Sequence, residues 1–191
     1  FPTRRSSDLH IAGALRADLD THLSTHNDAD RANGGRHPLP KPEVFAAWLR
    51  SMGVNDTTQV VVYDRNGVNY CGRMWWMLKW CGHAAVAVLD GGLQAWNAAG
   101  GEVTSGKSTA SHSNAGNFSV RTPLLPLVDT ATVAANLKTS QTLIDARAPA
   151  RFRGEVEPLD PVAGHIPGAL NRLYSTNLNE QGFFKSATEL R

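Results

Sequence analysis

Within residues 38–53, PLPKPEVFAAWLRSMG, the side chains Val44, Phe45, Trp48, Leu49 and Met52 return at the three- and four-residue spacing of one helical face. Pro42 suits the first helical turn, where its missing N–H leaves no bond unmade, and Gly53 suits the stop. QVVVYD at 59–64 is a β-branched run that predicts a strand buried on both faces. After a loop at 65–69, YCGRMWWMLKWCG puts Cys71, Met74, Trp75, Leu78 and Cys81 at helical spacing and ends at Gly82, a natural helix terminator. AVAVLDGG at 85–92 predicts a second buried strand, and LQAWNAAGG a short helix closed by Gly100.

Strand, helix, strand, helix at this spacing implies right-handed crossovers and a parallel sheet flanked by helices, so the fold class is α/β. From Thr104 the pattern dissolves into Ser, Gly, Asn and Thr, and residues 104–126 are expected to connect two globular units. A second unit opens near Leu127, with Asp129 placed to cap a helix through Lys138 and TLIDAR at 142–147 as a strand with its exit. One phrase occurs twice, as HIAGAL from His10 and as GHIPGAL around His165. Each copy is followed by a polar loop and the start of a helix, at KPEVFAAWL and at KSATELR, which points to an internal duplication. Gly13 and Gly168 permit a tight turn in it, and the two histidines are expected to bond local backbone. By this alignment the strand matching TLIDAR is missing ahead of His10, and the strand matching VVVYD is missing after Arg191, so both units are expected to be incomplete.

Composition narrows the function classes. The 191 residues carry 19 basic and 17 acidic side chains, a formal charge of +2, with no basic stripe, which argues against a nucleic-acid partner. No apolar run approaches the roughly 20 residues that cross a bilayer. Cys71 and Cys81 stand on one predicted helix, roughly 15 Å apart by helical rise, too far for a disulfide. Two thiols suit a reducing, cytoplasmic setting. Residues 1–9, FPTRRSSDL, resemble the translation of a sequencing-adapter primer and are set apart from fold reasoning. His22, His26, Asp28 and Asp30 have a metal-like spacing but no apolar face to hold them on a helix, so no metal is expected, and no cofactor. No glycine-rich phosphate loop follows a strand, which sets a nucleotide-binding reading aside.

HIAGAL and GHIPGAL, VVVYD followed by RMWWML, VAVLDGGLQAW, LIDAR and ARFRGEVEP together resemble the tandem-domain sulfurtransferases of the rhodanese type. The resemblance implies two α/β domains, each a parallel sheet flanked by helices, with the active site between them. It divides the chain into a first domain at 10–103, a connection at 104–126 and the start of a catalytic domain at 127–191. It implies a cysteine at a strand end of the second domain that takes sulfur from a small donor, thiosulfate or 3-mercaptopyruvate, as a persulfide and gives it to a thiophilic acceptor such as cyanide. Asp64 stands where that cysteine would be in the first domain, which is therefore expected to be silent, and the counterpart in the second lies beyond Arg191. A full-length monomer is expected.

Carried over residue by residue, Arg151 matches an arginine that holds the anionic donor, the alternative being a surface arginine. Arg153 reads as structural or solvated. His37 and Asp20 match positions proposed to assist proton transfer; equally, His37 is a loop histidine capping the helix that follows. Leu159 replaces a second arginine frequent after Glu-Pro in mercaptopyruvate-type enzymes. Cys71, Cys81 and the tryptophans Trp75, Trp76 and Trp80 are read as packing residues. The competing reading is a non-catalytic rhodanese-like module that acts by binding.

Overall fold

A computed structural model describes residues 9–106 and 114–191, which form two compact units divided at Leu127 and Val128. In the first, strand β1 (His10–Ile11) is followed by helix α1 (Pro42–Ser51), β2 (Val60–Val62), α2 (Cys71–Trp80), β3 (Val86–Val88), α3 (Gly92–Ala98) and β4 (Val103–Thr104). β2 and β3 pair in parallel, with Val60 opposite Val86 and Val62 opposite Val88, and α2 crosses between them as the spacing predicts. β1 pairs antiparallel with β4. Among the described residues no helix is long and apolar enough to cross a membrane.

Phe45, Leu49, Met77, Leu78, Cys81 and Phe118 are at most 1% exposed and form the centre of the core. Burying an aliphatic or aromatic side chain of this size contributes about 1.5–3 kcal/mol relative to leaving it in water. Val44 and Met77 depart from the predicted stripes, since Val44 is exposed and Met77 is wholly buried. A greater departure concerns the strands. Val62 is buried but Val61 is 53% exposed and Ala87 beside it is exposed too, so β2 and β3 cover one face rather than two. α2 packs against both strands and takes up Val62 and Val86, while the alternate side chains point to solvent with the two-residue period of a half-covered sheet.

The expected connection at 104–126 needs correction over its later part. Gly116 N–H bonds Arg50 O at 2.8 Å, Phe118 N–H bonds Val54 O at 3.1 Å and Arg121 N–H bonds Cys81 O at 3.0 Å, so this segment runs along the first unit. Residues 107–113 of the expected connection lie outside the described residues. The seam explains Gly82. It follows the end of α2 at φ +81°, and a Cβ there would stand 2.7 Å from both Arg121 Cβ and Thr122 O, so glycine serves the turn and the close approach together.

The second unit contains α4 (Thr130–Asn136), β5 (Ile144–Asp145), α5 (Pro149–Phe152) and β6 (Leu170–Asn171), with a short 3₁₀ turn at Tyr174–Asn177. Asp129 caps α4 as expected, accepting Thr132 N–H at 2.7 Å. β5 and β6 pair in parallel. The helix predicted from KSATELR is a hydrogen-bonded turn over 187–190. Its opening is nevertheless a capping box, with Ser186 N–H donating to Glu189 Oε2 at 2.9 Å and Glu189 N–H reaching Ser186 Oγ at 3.4 Å.

The repeated phrase makes the same turn in both units. Ala14 N–H bonds Ile11 O and Ala169 N–H bonds Ile166 O, each at 3.0 Å, with Gly13 and Gly168 at φ +74° and +82° in the third turn position, as a type II turn requires. The flanking ladders differ: β1 precedes the first turn, whereas β6 follows the second. Residues 1–8, on which the expectation of a missing strand ahead of His10 bears in part, lie outside the described residues.

Candidate active site

The loop between β2 and α2 is organised around one carboxylate. Asp64 Oδ1 accepts the N–H groups of Asn66 at 2.8 Å and Val68 at 3.1 Å, and Oδ2 accepts those of Tyr70 at 2.8 Å and Cys71 at 3.0 Å. Four backbone donors thus converge on the side chain at the strand end. Val68 is held at φ +63°, an uncommon and costly conformation for a β-branched residue. Partial burial pushes the Asp64 pKa up, but the N–H groups of Cys71, Tyr70 and Asn66 pull it further down, leaving it below the usual aspartate value. A loop of this form stabilises negative charge on the first residue, whether carboxylate or thiolate.

Neither cysteine of the chain fills that role. Cys71 is 7% exposed and Cys81 is fully buried. Burial, then the Asp64 charge, pushes the Cys71 thiol up to about 12; burial, then Glu43, does the same for Cys81. Both are therefore protonated and shielded near neutral pH, and iodoacetamide is expected to label neither until the chain is unfolded in urea. Rapid alkylation of folded protein at Cys71, read by mass spectrometry, would contradict this placement.

Asp20 and His37 are brought together in the first unit, with His37 Nδ1 3.5 Å from Asp20 Oδ1 but making no hydrogen bond. An arginine that the sequence reading passed over holds their loop. Arg73, in the first turn of α2, donates Nε and Nη2 to Leu23 O at 3.0 and 2.8 Å, and Nη2 also to His37 O at 2.8 Å. Three carbonyl contacts tie the 23–37 segment to the helix that leaves the Asp64 loop. The only sequence signal was a cation in the first turn of a mostly apolar helical stretch, which also carries Lys79. His22 is stacked on Trp48 with ring centroids 4.8 Å apart, and Asp28 pairs with Arg31 at 3.0 Å. Among the described residues no three His, Cys, Asp or Glu side chains gather as a metal site.

In the second unit the strand end of β5 leads into a cage of alternating charge. Arg151, on α5, donates Nε to Glu157 Oε2 at 3.1 Å and Nη2 to Glu157 Oε1 at 2.6 Å and to Asp160 Oδ2 at 2.8 Å. Arg147 reaches the same Glu157 Oε2 at 3.3 Å, and binds Asp145 Oδ2 and Gly164 O at 2.6 Å each. The fork of Arg151 holds the Glu157 carboxyl down at about 2, so the cage stays ionised throughout the neutral range. Arg147, Glu157 and Asp160 were not singled out from sequence as site residues, although each lies within ten residues of Arg151 and the first two stand in the quoted motifs. Arg153 instead forms an exposed pair with Glu155 at 2.6 Å, of the kind that contributes little. His165 Nδ1 lies 2.7 Å from Phe152 O, the local backbone contact expected of it.

With this geometry in view, comparison with known proteins is specific. Residues 3–99 match the rhodanese-like domain, a match that starts within the stretch set apart at 1–9. A Pseudomonas aeruginosa protein named as a probable 3-mercaptopyruvate sulfurtransferase is 44% identical over 192 residues, covering 100% of this chain and 66% of its own length. The human 3-mercaptopyruvate sulfurtransferase is 35% identical over 193 residues, covering 98% of this chain and 62% of the human one. The crystal structure of SseA from Escherichia coli, described as the rhodanese fold of 3-mercaptopyruvate sulfotransferases, superposes with a TM-score of 0.77 at 34% identity, over 95% of this chain and 65% of that one. The chain thus spans slightly under two thirds of the length of these relatives. It is an α/β protein of the rhodanese-like domain family.

Proposed function

We propose that this chain supplies most of a sulfurtransferase that moves a sulfane sulfur from 3-mercaptopyruvate or thiosulfate to cyanide or another thiophilic acceptor through a cysteine persulfide. The observation that carries the reading is the Asp64 loop, four N–H groups focused on the side chain at a strand end. A cysteine in an equivalent loop would be held as thiolate and then as persulfide anion. Asp64 has no sulfur to carry, so in this reading the chemistry belongs to the counterpart loop of the second unit.

In that reaction the thiolate attacks the donor's outer sulfur. With 3-mercaptopyruvate the C–S bond breaks, its electron pair leaves on the pyruvate enolate, and the enolate takes up a proton. With thiosulfate the S–S bond breaks and sulfite leaves. Cyanide then attacks the outer persulfide sulfur, giving thiocyanate and the free thiolate. Arg151 would bind the donor's carboxylate or sulfonate, and His37, faced by Asp20, would serve the proton. Names among the relatives favour 3-mercaptopyruvate, while Leu159 adds no second cation for a carboxylate donor.

The test uses the full-length protein with either donor and cyanide. Thiocyanate formation is expected, falling to background when the cysteine mirroring Asp64 is replaced by serine, and the 191-residue chain alone is expected to stay at the no-enzyme rate. Turnover by the 191-residue chain that disappears with Cys71→Ser would overturn the assignment. A second reading, a non-catalytic binding module, draws on Asp64 itself; a residue other than cysteine at its counterpart would favour it.

A further inference from the structure

The cage around Arg151 holds three carboxylates, of Asp145, Glu157 and Asp160, against two guanidiniums, of Arg147 and Arg151. The two carboxylates on Arg151 are not equivalent. Glu157 has a side chain 5% exposed, receives both the Nε and Nη2 hydrogens of Arg151, and accepts the N–H groups of Leu159 at 3.1 Å and Asp160 at 2.9 Å. It is built in. Asp160 has a side chain 42% exposed and meets Arg151 Nη2 at 2.8 Å. The side chain of Arg151 itself is 19% exposed. Next to Asp160, Leu159 is 57% exposed and brings no compensating cation.

We propose that Asp160 is an exchangeable counter-ion for Arg151, a specificity-determining residue whose carboxylate is replaced by the anionic head of the sulfur donor. The inference rests on the donor-binding role proposed for Arg151. Exchange of one carboxylate or sulfonate for another leaves the cage's charge unchanged, so Arg147, Arg151 and Glu157 keep their geometry while the donor enters. A neutral donor, unable to replace the lost charge, would leave Arg151 less well compensated, so the cage selects anions. Occupation of Arg151 by Asp160 also weakens donor binding by the fraction of time the pair is closed.

The test is steady-state kinetics of the full-length protein with Asp160→Asn, Arg151→Ala and the double variant, using 3-mercaptopyruvate and cyanide, with a thermal melt to verify that each is folded. Asp160→Asn is expected to lower KM about three- to tenfold while kcat moves by less than about twofold. Arg151→Ala is expected to raise KM at least tenfold, and Asp160→Asn is expected to change nothing further in that background. A folded Asp160→Asn variant with unchanged or higher KM, beside an Arg151→Ala variant with raised KM, overturns the counter-ion role alone. An unchanged KM in Arg151→Ala overturns the underlying role of Arg151. A purely structural Asp160 would lower the melting temperature without lowering KM.

Discussion

Phe118→Ala is expected to destabilise the first unit by about 3–5 kcal/mol, the range for truncating a fully buried aromatic ring. Phe118 is 1% exposed and lies over His83 with ring centroids 5.4 Å apart. Its backbone is tied as well, through N–H to Val54 O at 3.1 Å and through its carbonyl to Arg50 Nη1 at 3.0 Å. Removing the ring leaves a cavity in the core cluster beside His83, which the backbone seam to Arg50 and Val54 keeps from collapsing. Against a typical domain stability of about 5–15 kcal/mol, the loss is a large fraction of the total. All five tryptophans lie in this unit, so urea titration followed by tryptophan fluorescence reads the effect directly. A midpoint within experimental error of the parent would show that the segment at 116–124 is only draped on the unit.

Asp64→Ala is expected to cost about 2–3 kcal/mol, less than a plain sum over four charge-assisted hydrogen bonds. Asn66 and Tyr70 are exposed, so water replaces the carboxylate at their N–H groups, whereas Cys71 is buried and its N–H is left without an acceptor. Val68, no longer held through its N–H, is expected to relax from φ +63°. The substitution also carries a pH signature. Because the native pKa of Asp64 is depressed, its stabilisation is fully present above the ordinary aspartate value near 4 and is lost as pH falls through the lower native value. The parent is thus expected to lose stability on acidification below about pH 4 more steeply than Asp64→Ala. Equal acid slopes for the two would show that the carboxylate does not hold the loop.

Much of this was legible from local sequence. The periods around Phe45, Leu49 and Leu78 placed α1 and α2, VVVYD and AVAVLD placed β2 and β3, and the repeated Gly-Ala phrase marked two identical turns. Asp20 and His37, carried over from the resemblance and not from any spacing, stand 3.5 Å apart. Exposure of one strand face, at Val61 and Ala87, was not legible, since alternation in a run of valines is invisible when inward and outward positions carry the same residue.

Sequence alone thus determined the elements and the class, because periodicity and turn chemistry are local properties, while the family resemblance pointed to Asp64 and Arg151. Only the tertiary structure decided that Phe118 belongs to the core, that Arg73 fastens the His37 loop, and that Arg151 already carries two carboxylates of unequal burial. Each of those depends on which distant backbone or charge comes within 3 Å or so, and no local pattern of side chains encodes that distance.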